Sequence, residues 1–381
     1  MAATTPDPAA DRADAPGPRG GTAARRRPTM RDVAQEAGVS TALVSIVFRE
    51  APGASDETRQ RVREAAANIG YVVDERARLL RRRRSPDVGV LFQTGQPFHQ
   101  QLLEDLYAEI EGAGGAVILS GASPHRDERT ALASLVSYRC GAIIVLGADL
   151  PEEELLRGAD GIALVSVARP AGPGIDWVAS DDERATALAL EHLAALGHER
   201  VLFASAPGAA GAPQREQGLH EAAARLGVQV EVAAGGTTEV AGAALAEQLL
   251  SRDALPDAVI TFNDRAALGF LDVLVRCGVR VPEDLSVIGN DDSEIAARSY
   301  VDLTTIAQDT RRLAAEAARL ARCRMRGVDG AAEADGVPAG TPSSDGAAVD
   351  GKGAGRVAGG GVVVPVELVV RSSTGPVAAR G

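Results

Sequence analysis

Several polar side chains fall just after short apolar runs. Gln93 and the turn Gln96-Pro97-Phe98 follow VGVLF (88–92), and Ala168-Arg169-Pro170 follows IALVSV (162–167). Asn263-Asp264 follows AVITF (258–262), and Asn290-Asp291-Asp292 follows LSVIG (285–289). Arg215 opens a helical stretch, QREQGL. Amides, carboxylates and a guanidinium together supply the donors and acceptors that an array of sugar or polyol hydroxyls needs. Phe98 or Trp177 offers a ring for the apolar face of such a ligand. The same residue types also serve as turn formers and helix caps, so both roles stay open at this level. Catalysis finds no support. The five histidines (99, 125, 192, 198 and 220) lack metal-ligand spacing, and no nucleophile elbow, Walker loop or dinucleotide fingerprint follows a strand. Neither a metal, a cofactor nor a catalytic residue is expected. Cys140, Cys277 and Cys323 are far apart and odd in number, which suits structural thiols in a reducing cytosol.

To converge, these side chains need a scaffold. The four runs above, with AVILS (116–120), AIIVL (142–146) and RVLFAS (200–205), alternate with amphipathic helical stretches. That alternation predicts parallel sheets with crossover helices, and there are too many runs for one small sheet. Two α/β lobes are expected, with a ligand cleft outside the carboxyl ends of their strands. Residues 327–361 are low-complexity and read as a disordered insert before one last strand, VVVPVELVV (362–370). The polar, acidic N-terminus has no signal-peptide core, and no run reaches the roughly 18 apolar residues of a membrane span. A cytoplasmic protein without membrane association is expected.

The 381-residue chain carries a net charge of −12, but unevenly. Arg25–Arg84 holds 14 Arg against 8 acidic residues, a net of +6, while the remainder has 26 basic and 44 acidic residues, a net of −18. A basic arm on an acidic body fits one small domain that meets phosphate. Within it, PTMRDVAQEAGVSTALVSIVF (28–48) is dense in helix signals. Thr29 and Asp32 form a capping-box-like pair, with Val33, Ala34 and Ala37 on one face. Gly38 suits a tight turn needing positive φ, Val39 plugs that turn, and Ser40 caps a second helix with Val44 and Val47 inward. A third helix runs from near Ser55, through Val62, Ala66 and Ile69, to Gly70. This is helix–turn–helix logic, which would lay Thr41, Ala42, Ser45 and Ile46 in a major groove. Arg31, Arg49, Arg59 and the Arg25–Arg27 run would then face phosphates.

The strings RDVAQEAGVSTALVSIVF and SDETRQRVREAAANIGYVVDERARLL resemble the DNA-binding headpiece of the LacI/GalR family of bacterial transcription regulators. The likeness spans about Pro28 to Pro376, apart from 327–361. It implies an all-α helix–turn–helix headpiece and a two-lobed, periplasmic-binding-protein-like α/β core with parallel sheets. The implied segments are a disordered tail (1–27), a headpiece (28–73), a hinge helix and linker (74–86) and a core (87–376). On the hinge helix, Leu80 matches the family's minor-groove wedge and Ala77 the small residue before it. Thr29, Ser40, Thr41, Ala42, Ser45, Ile46 and Arg49 are the headpiece candidates for DNA contact. Arg215, Asn263 and Asp291 match residues that hold effector hydroxyls, through REQG, ND and GNDD. Gln93, Phe98 and Arg169 complete the candidate effector set, and VDLTTIAQD (301–309) resembles a segment joining the lobes. The implied function is a homodimeric repressor of a palindromic operator, controlled by a small effector, a sugar. The alternatives are a regulator answering to a protein partner and a stand-alone sugar-binding module. Three departures stand out. Ile46 occupies the usual position of an arginine, Ala168 that of an aspartate and Asn290 that of an aromatic.

Overall fold

A computed structural model describes residues 28–48, 51–71, 85–327, 355–357 and 361–377. Its contacts divide into two units, Met1–Arg81 and Arg82–Gly381. Arg25–Arg27, Arg49, Ala77 and Leu80 lie outside the described residues.

The first unit is built from local signals. Thr29 caps α1 (Met30–Ala37): the Asp32 N–H donates to Thr29 Oγ1, and the Asp32 carboxylate accepts from the Thr29 N–H at 2.7 Å. Gly38 ends the helix at φ 64°, where its N–H reaches the Ala34 and Gln35 carbonyls. A side chain at that φ would be strained. Ser40 Oγ accepts from the Leu43 N–H (3.2 Å) and opens α2 (Thr41–Phe48). Ser55 caps α3 (Asp56–Ile69), which Gly70 closes at φ 67°. Val33, Val44 and Val62 meet fully buried, with Ala34, Ala37, Val47, Ala65 and Ala66 around them. Each such valine contributes roughly 1.5–3 kcal/mol by leaving water. Three short helices thereby gain the tertiary stability that none has alone.

The second unit holds two sheets. The first contains β1 (Val88–Gln93), β2 (Val117–Ala122), β3 (Ala142–Leu146), β4 (Ala163–Val167) and β5 (Asp176–Ser180). The second contains β6 (Arg200–Ser205), β7 (Gln229–Ala234), β8 (Ala258–Thr261), β9 (Ser286–Asp291) and β10 (Thr304–Gln308). The helices α4 (Pro97–Glu111), α5 (Glu128–Ser137) and α6 (Glu152–Gly158) belong to the first lobe. To the second belong α7 (Asp182–Ala195), α8 (Ala212–Leu226), α9 (Glu239–Leu250) and α10 (Asp264–Arg276). A last helix, α11 (Thr310–Arg326), returns to pack beside α4 on the first sheet.

The chain ends in β11 (Gly355–Val357), β12 (Gly361–Val364) and β13 (Val366–Val369). The orders are β11-β12-β5-β4-β3-β1-β2 and β13-β10-β9-β8-β6-β7. All pairs are parallel except β11 with β12 and β13 with β10. The expected last strand is therefore two, one in each sheet. Pro365 sits between them, lacks an N–H and cannot extend a ladder. Gly355–Val357, placed by sequence in the disordered insert, forms a β-strand. Trp177 is no cleft aromatic: it lies on β5 against Gly361, where a Cβ would strike its ring. Cys277 is exposed, unlike the buried Cys140 and Cys323.

Candidate functional site

In the first unit, packing sorts α2 into two faces. Val44 and Val47 are buried, Ser45 and Ile46 are half-buried, and Ser40, Thr41 and Ala42 are exposed at its N-terminal end. That end carries the side chains that a recognition helix lays against base edges. Thr29 and Ser40 are occupied as helix caps. Arg31 is exposed. Arg59 is engaged differently from the expectation: its Nη2 donates to the Ala51 carbonyl at 2.6 Å and pins the loop between α2 and α3.

In the second unit, three crossings join the lobes: β5 to α7, β10 to α11 and β12 to β13. They are tied side by side. Ser180 Oγ donates to Gln308 Oε1 (2.6 Å), and the Asp181 N–H donates to the Val364 carbonyl (2.9 Å). Next to them, at strand carboxyl ends, lies a cavity of about 160 Å³. Gln93, Phe98, Arg215, Asn263 and Asp291 line it together.

Arg215 owes its place to a glycine one turn on. Gly218 leaves no room for a Cβ against the Glu183 backbone, so α8 lies directly on α7. This brings Arg215 to Asp182: Nε donates to Asp182 Oδ1 (2.7 Å) and Nη1 to the Phe262 carbonyl (2.6 Å). The guanidinium also covers the Phe262 ring, 4.5 Å from its centroid, a cation–π contact. Both partners of the ion pair are nearly buried, and burial pushes the Asp182 carboxyl above its ordinary range, opposed by Arg215.

Asn263 serves two roles. Its Oδ1 accepts from the Ala266 N–H (2.8 Å) as the cap of α10, and its Nδ2 donates to the Thr237 carbonyl (3.2 Å). The adjoining Asp264 is buried and accepts from Ser293 N–H, Ser293 Oγ and Thr305 Oγ1, fixing α10 to the β9 and β10 ends. Asp291, at the end of β9, stands at φ 124°, a strained conformation for a non-glycine residue. Its Oδ1 accepts from Gln308 Nε2 (2.8 Å) and Asn290 Nδ2 (3.0 Å). Burial, then the Asp264 charge, hold its carboxyl well above the ordinary range.

On the first lobe's side, Gln93 donates through Nε2 to Glu128 Oε1 (2.6 Å). Glu128 also accepts from the Asp149 and Leu150 N–H groups, so one buried carboxylate holds two walls of the cavity. His99 is 8 % exposed; burial lowers its imidazole to about 4, so it is neutral at physiological pH. Arg169 is not in the lining. The Ala168 backbone turns at φ 68°, and Arg169 Nη2 reaches across the cleft to the Gly208 carbonyl (2.9 Å). His99, Asp149, Asp182, Thr237 and Gln308 are lining residues that sequence reasoning did not single out as ligand contacts. Asp149 and Asp182 do sit just past β3 and β5, the signal used for the others.

Residues 29–74 match the profile of bacterial regulatory proteins, lacI family, and 190–341 that of the periplasmic binding protein-like domain. The chain is 31 % identical over 303 residues to the HTH-type transcriptional regulator GalR of Escherichia coli (strain K12). That alignment covers 77 % of this chain and 88 % of GalR. The chain belongs to the LacI family. It is a DNA-binding transcriptional regulator, like its relatives. The HTH-type transcriptional repressor CytR of the same strain is 30 % identical over 315 residues, covering 78 % of this chain and 90 % of CytR. The fold matches a Lac repressor dimer bound to operator and the anti-inducer ONPF, with TM-score 0.72 and 25 % identity. That match covers 92 % of this chain and all of the other. The lacI-family headpiece sets aside the reading of a stand-alone sugar-binding module.

Proposed function

We propose that this LacI-family regulator is a cytoplasmic repressor that binds a two-fold operator as a homodimer and is controlled by a sugar-like effector in the inter-lobe cavity. The observation that carries the DNA half is the bare N-terminal end of α2, with Thr41 and Ala42 exposed on a helix anchored by Val44 and Val47. Repression is supported by the likeness to CytR, and dimeric operator binding by the likeness to the operator-bound Lac repressor.

In this reading Thr41, Ala42, Ser45 and Ile46 read base edges. Ile46 packs on a thymine methyl, since it has no donor for guanine. Thr29, Ser40 and Arg49 position the backbone, and Ala77 and Leu80 belong to a hinge that opens the minor groove at the operator centre. Arg215, Asn263, Asp291, Gln93 and Phe98 hold the effector. The cavity is smaller than the roughly 300–1,000 Å³ of drug-sized sites, which suits a small polar ligand in this lobe arrangement. Such a ligand acts only through its different affinity for two lobe arrangements. Arg169, drawn to Gly208, acts on that arrangement rather than on the ligand.

The test is selection of bound duplexes from a random library with the full-length protein at physiological salt. A two-fold motif with a fixed central step is the expected result. An asymmetric single site would exclude the dimer reading, and no enriched motif would exclude sequence-specific binding by the free protein.

A further inference from the structure

A second, larger cavity lies against the effector cavity. It holds about 740 Å³ between the loop after β6 (206–209), the end of β7 with the loop that follows (234–237), and one face of α9. That volume is within the roughly 300–1,000 Å³ of ligand sites, whereas the first cavity, about 160 Å³, is below it. Asp149, Ala209 and Thr237 line both, so the two cavities meet at these three side chains. Ala209 and Thr237 are small, and the Asp149 side chain, from the first lobe, is 74 % exposed. Arg169 stands 3.6 Å from the Asp149 carboxylate and donates instead to the Gly208 carbonyl. Asp149 can therefore accept from hydroxyls on either side of the junction. Glycines hold the loop wall of the second cavity close: a Cβ at Gly235 would strike Ala204, and one at Gly236, which stands at φ 63°, would strike Ala241. Ala241, Ala244 and Leu245 offer methyl groups to the C–H face of a ring. The Thr237 hydroxyl and the Gln248 amide also line this cavity and have no hydrogen-bond partner among the described residues. None of the described lining residues is aromatic. A flat aromatic group would find no ring to stack on, whereas a second sugar ring finds a carboxylate, a hydroxyl and an amide for its own hydroxyls.

We infer that the effector is a disaccharide or longer saccharide, with one ring in the first cavity and the next across the Asp149–Thr237 junction in the second. This rests on the reading of the first cavity as the effector site and adds the size of the ligand. The second ring touches Asp149 of the first lobe and α9 of the second, so it adds to the ligand's hold on both lobes.

Calorimetry on the full-length protein tests this with matched sets: glucose with maltose and cellobiose; galactose with lactose and melibiose; xylose with xylobiose. In any set that binds, a disaccharide should be at least about tenfold tighter than its monosaccharide. Ala244→Trp puts an indole into the second cavity from an exposed position on α9, and should bring the disaccharide down to the affinity of its monosaccharide. Gln248→Ala, also exposed, should weaken the disaccharide about threefold. A monosaccharide that binds as tightly as every disaccharide of its set overturns the inference while leaving the first cavity as the effector site. So does a disaccharide advantage that survives Ala244→Trp, which would place the second ring elsewhere. A nitrophenyl glycoside that binds tighter than every disaccharide would overturn it too, by making the second cavity an aglycone site. If no member binds and none alters affinity for the selected DNA, the effector-site reading fails, and the inference fails with it.

Discussion

At the scale of single residues, Arg215 and Asp291 are held by opposite logic. Arg215 is neutralised in place by Asp182, and removing one member of a buried pair strands the other. Arg215→Ala should cost about 3–5 kcal/mol of stability in denaturant unfolding, and adding Asp182→Asn should recover part of it. Equal stability of the wild type and Arg215→Ala would show that the pair is solvated. Asp291 is a carboxyl whose folded-state pKa lies above its unfolded value, through burial first and Asp264 second. The folded state therefore holds that proton more tightly. The resulting stability is present below the unfolded pKa of about 3.9 and is lost as pH rises through the raised value. Asp291→Asn mimics the protonated form. It should stabilise the protein by about 1–3 kcal/mol near pH 8, with the difference shrinking toward pH 5. A pH-independent difference would remove ionisation as its cause. In the first unit, Arg59, whose charge points to phosphate when only the sequence is considered, holds the loop between α2 and α3 through the Ala51 carbonyl, and Ile46 is half-buried on α2.

At the scale of elements, stability comes from caps and close approaches. The Thr29–Asp32 box fixes the start of α1, whose buried face supplies Val33 to the three-helix core. Thr29→Ala should lower headpiece stability by about 0.5–2 kcal/mol. Hydrogen exchange of the α1 amides in the full chain reads this directly, and unchanged protection would mean that the cap is dispensable. In the core unit, the close seating of α8 on α7 at Gly218 converts a sequence motif, REQG, into a buried ion pair. Likewise, the absence of a Cβ at Gly361 lets β12 pass under Trp177 and pair with β5.

At the scale of the whole core unit, two arginines span the cleft in opposite directions. Arg169, after β4 of the first lobe, donates to the Gly208 carbonyl (2.9 Å) of the second. Arg265, on α10 of the second lobe, donates through Nη1 to the Gly95 carbonyl (2.7 Å) of the first. Both reach exposed or partly exposed backbone, so each contributes about 0.5–1.5 kcal/mol to this lobe arrangement. The double variant Arg169→Ala, Arg265→Ala should open the ligand-free core and raise its radius of gyration in small-angle scattering. An unchanged scattering profile would mean that the three crossings alone set the angle. Gln308 ties a crossing to the cavity, since its Oε1 accepts from Ser180 Oγ and its Nε2 donates to Asp291 Oδ1.

The sequence by itself determined whatever depends on neighbours a few residues away. Helix limits were legible because Thr29, Gly38, Ser40, Ser55 and Gly70 act within one turn. Seven strands were legible as apolar runs buried by helices, and the family likeness brought Arg215, Asn263 and Asp291 to one place. Besides β11, which falls inside the low-complexity stretch, three strands did not show as runs, each for a different reason. β5 begins and ends in polar residues spent on distant partners, Asp176 on Arg324 and Ser180 on Gln308. β7 is an edge strand with four of its six residues exposed and none buried, and β10 opens with two buried threonines that lower its apolar signal. Tertiary structure alone decided the fate of Arg169 and Arg265. Their acceptors lie 39 and 170 residues away, and both are backbone carbonyls, which any residue type supplies. No side-chain pattern encodes such a partner; it exists only once the two lobes have folded and faced each other.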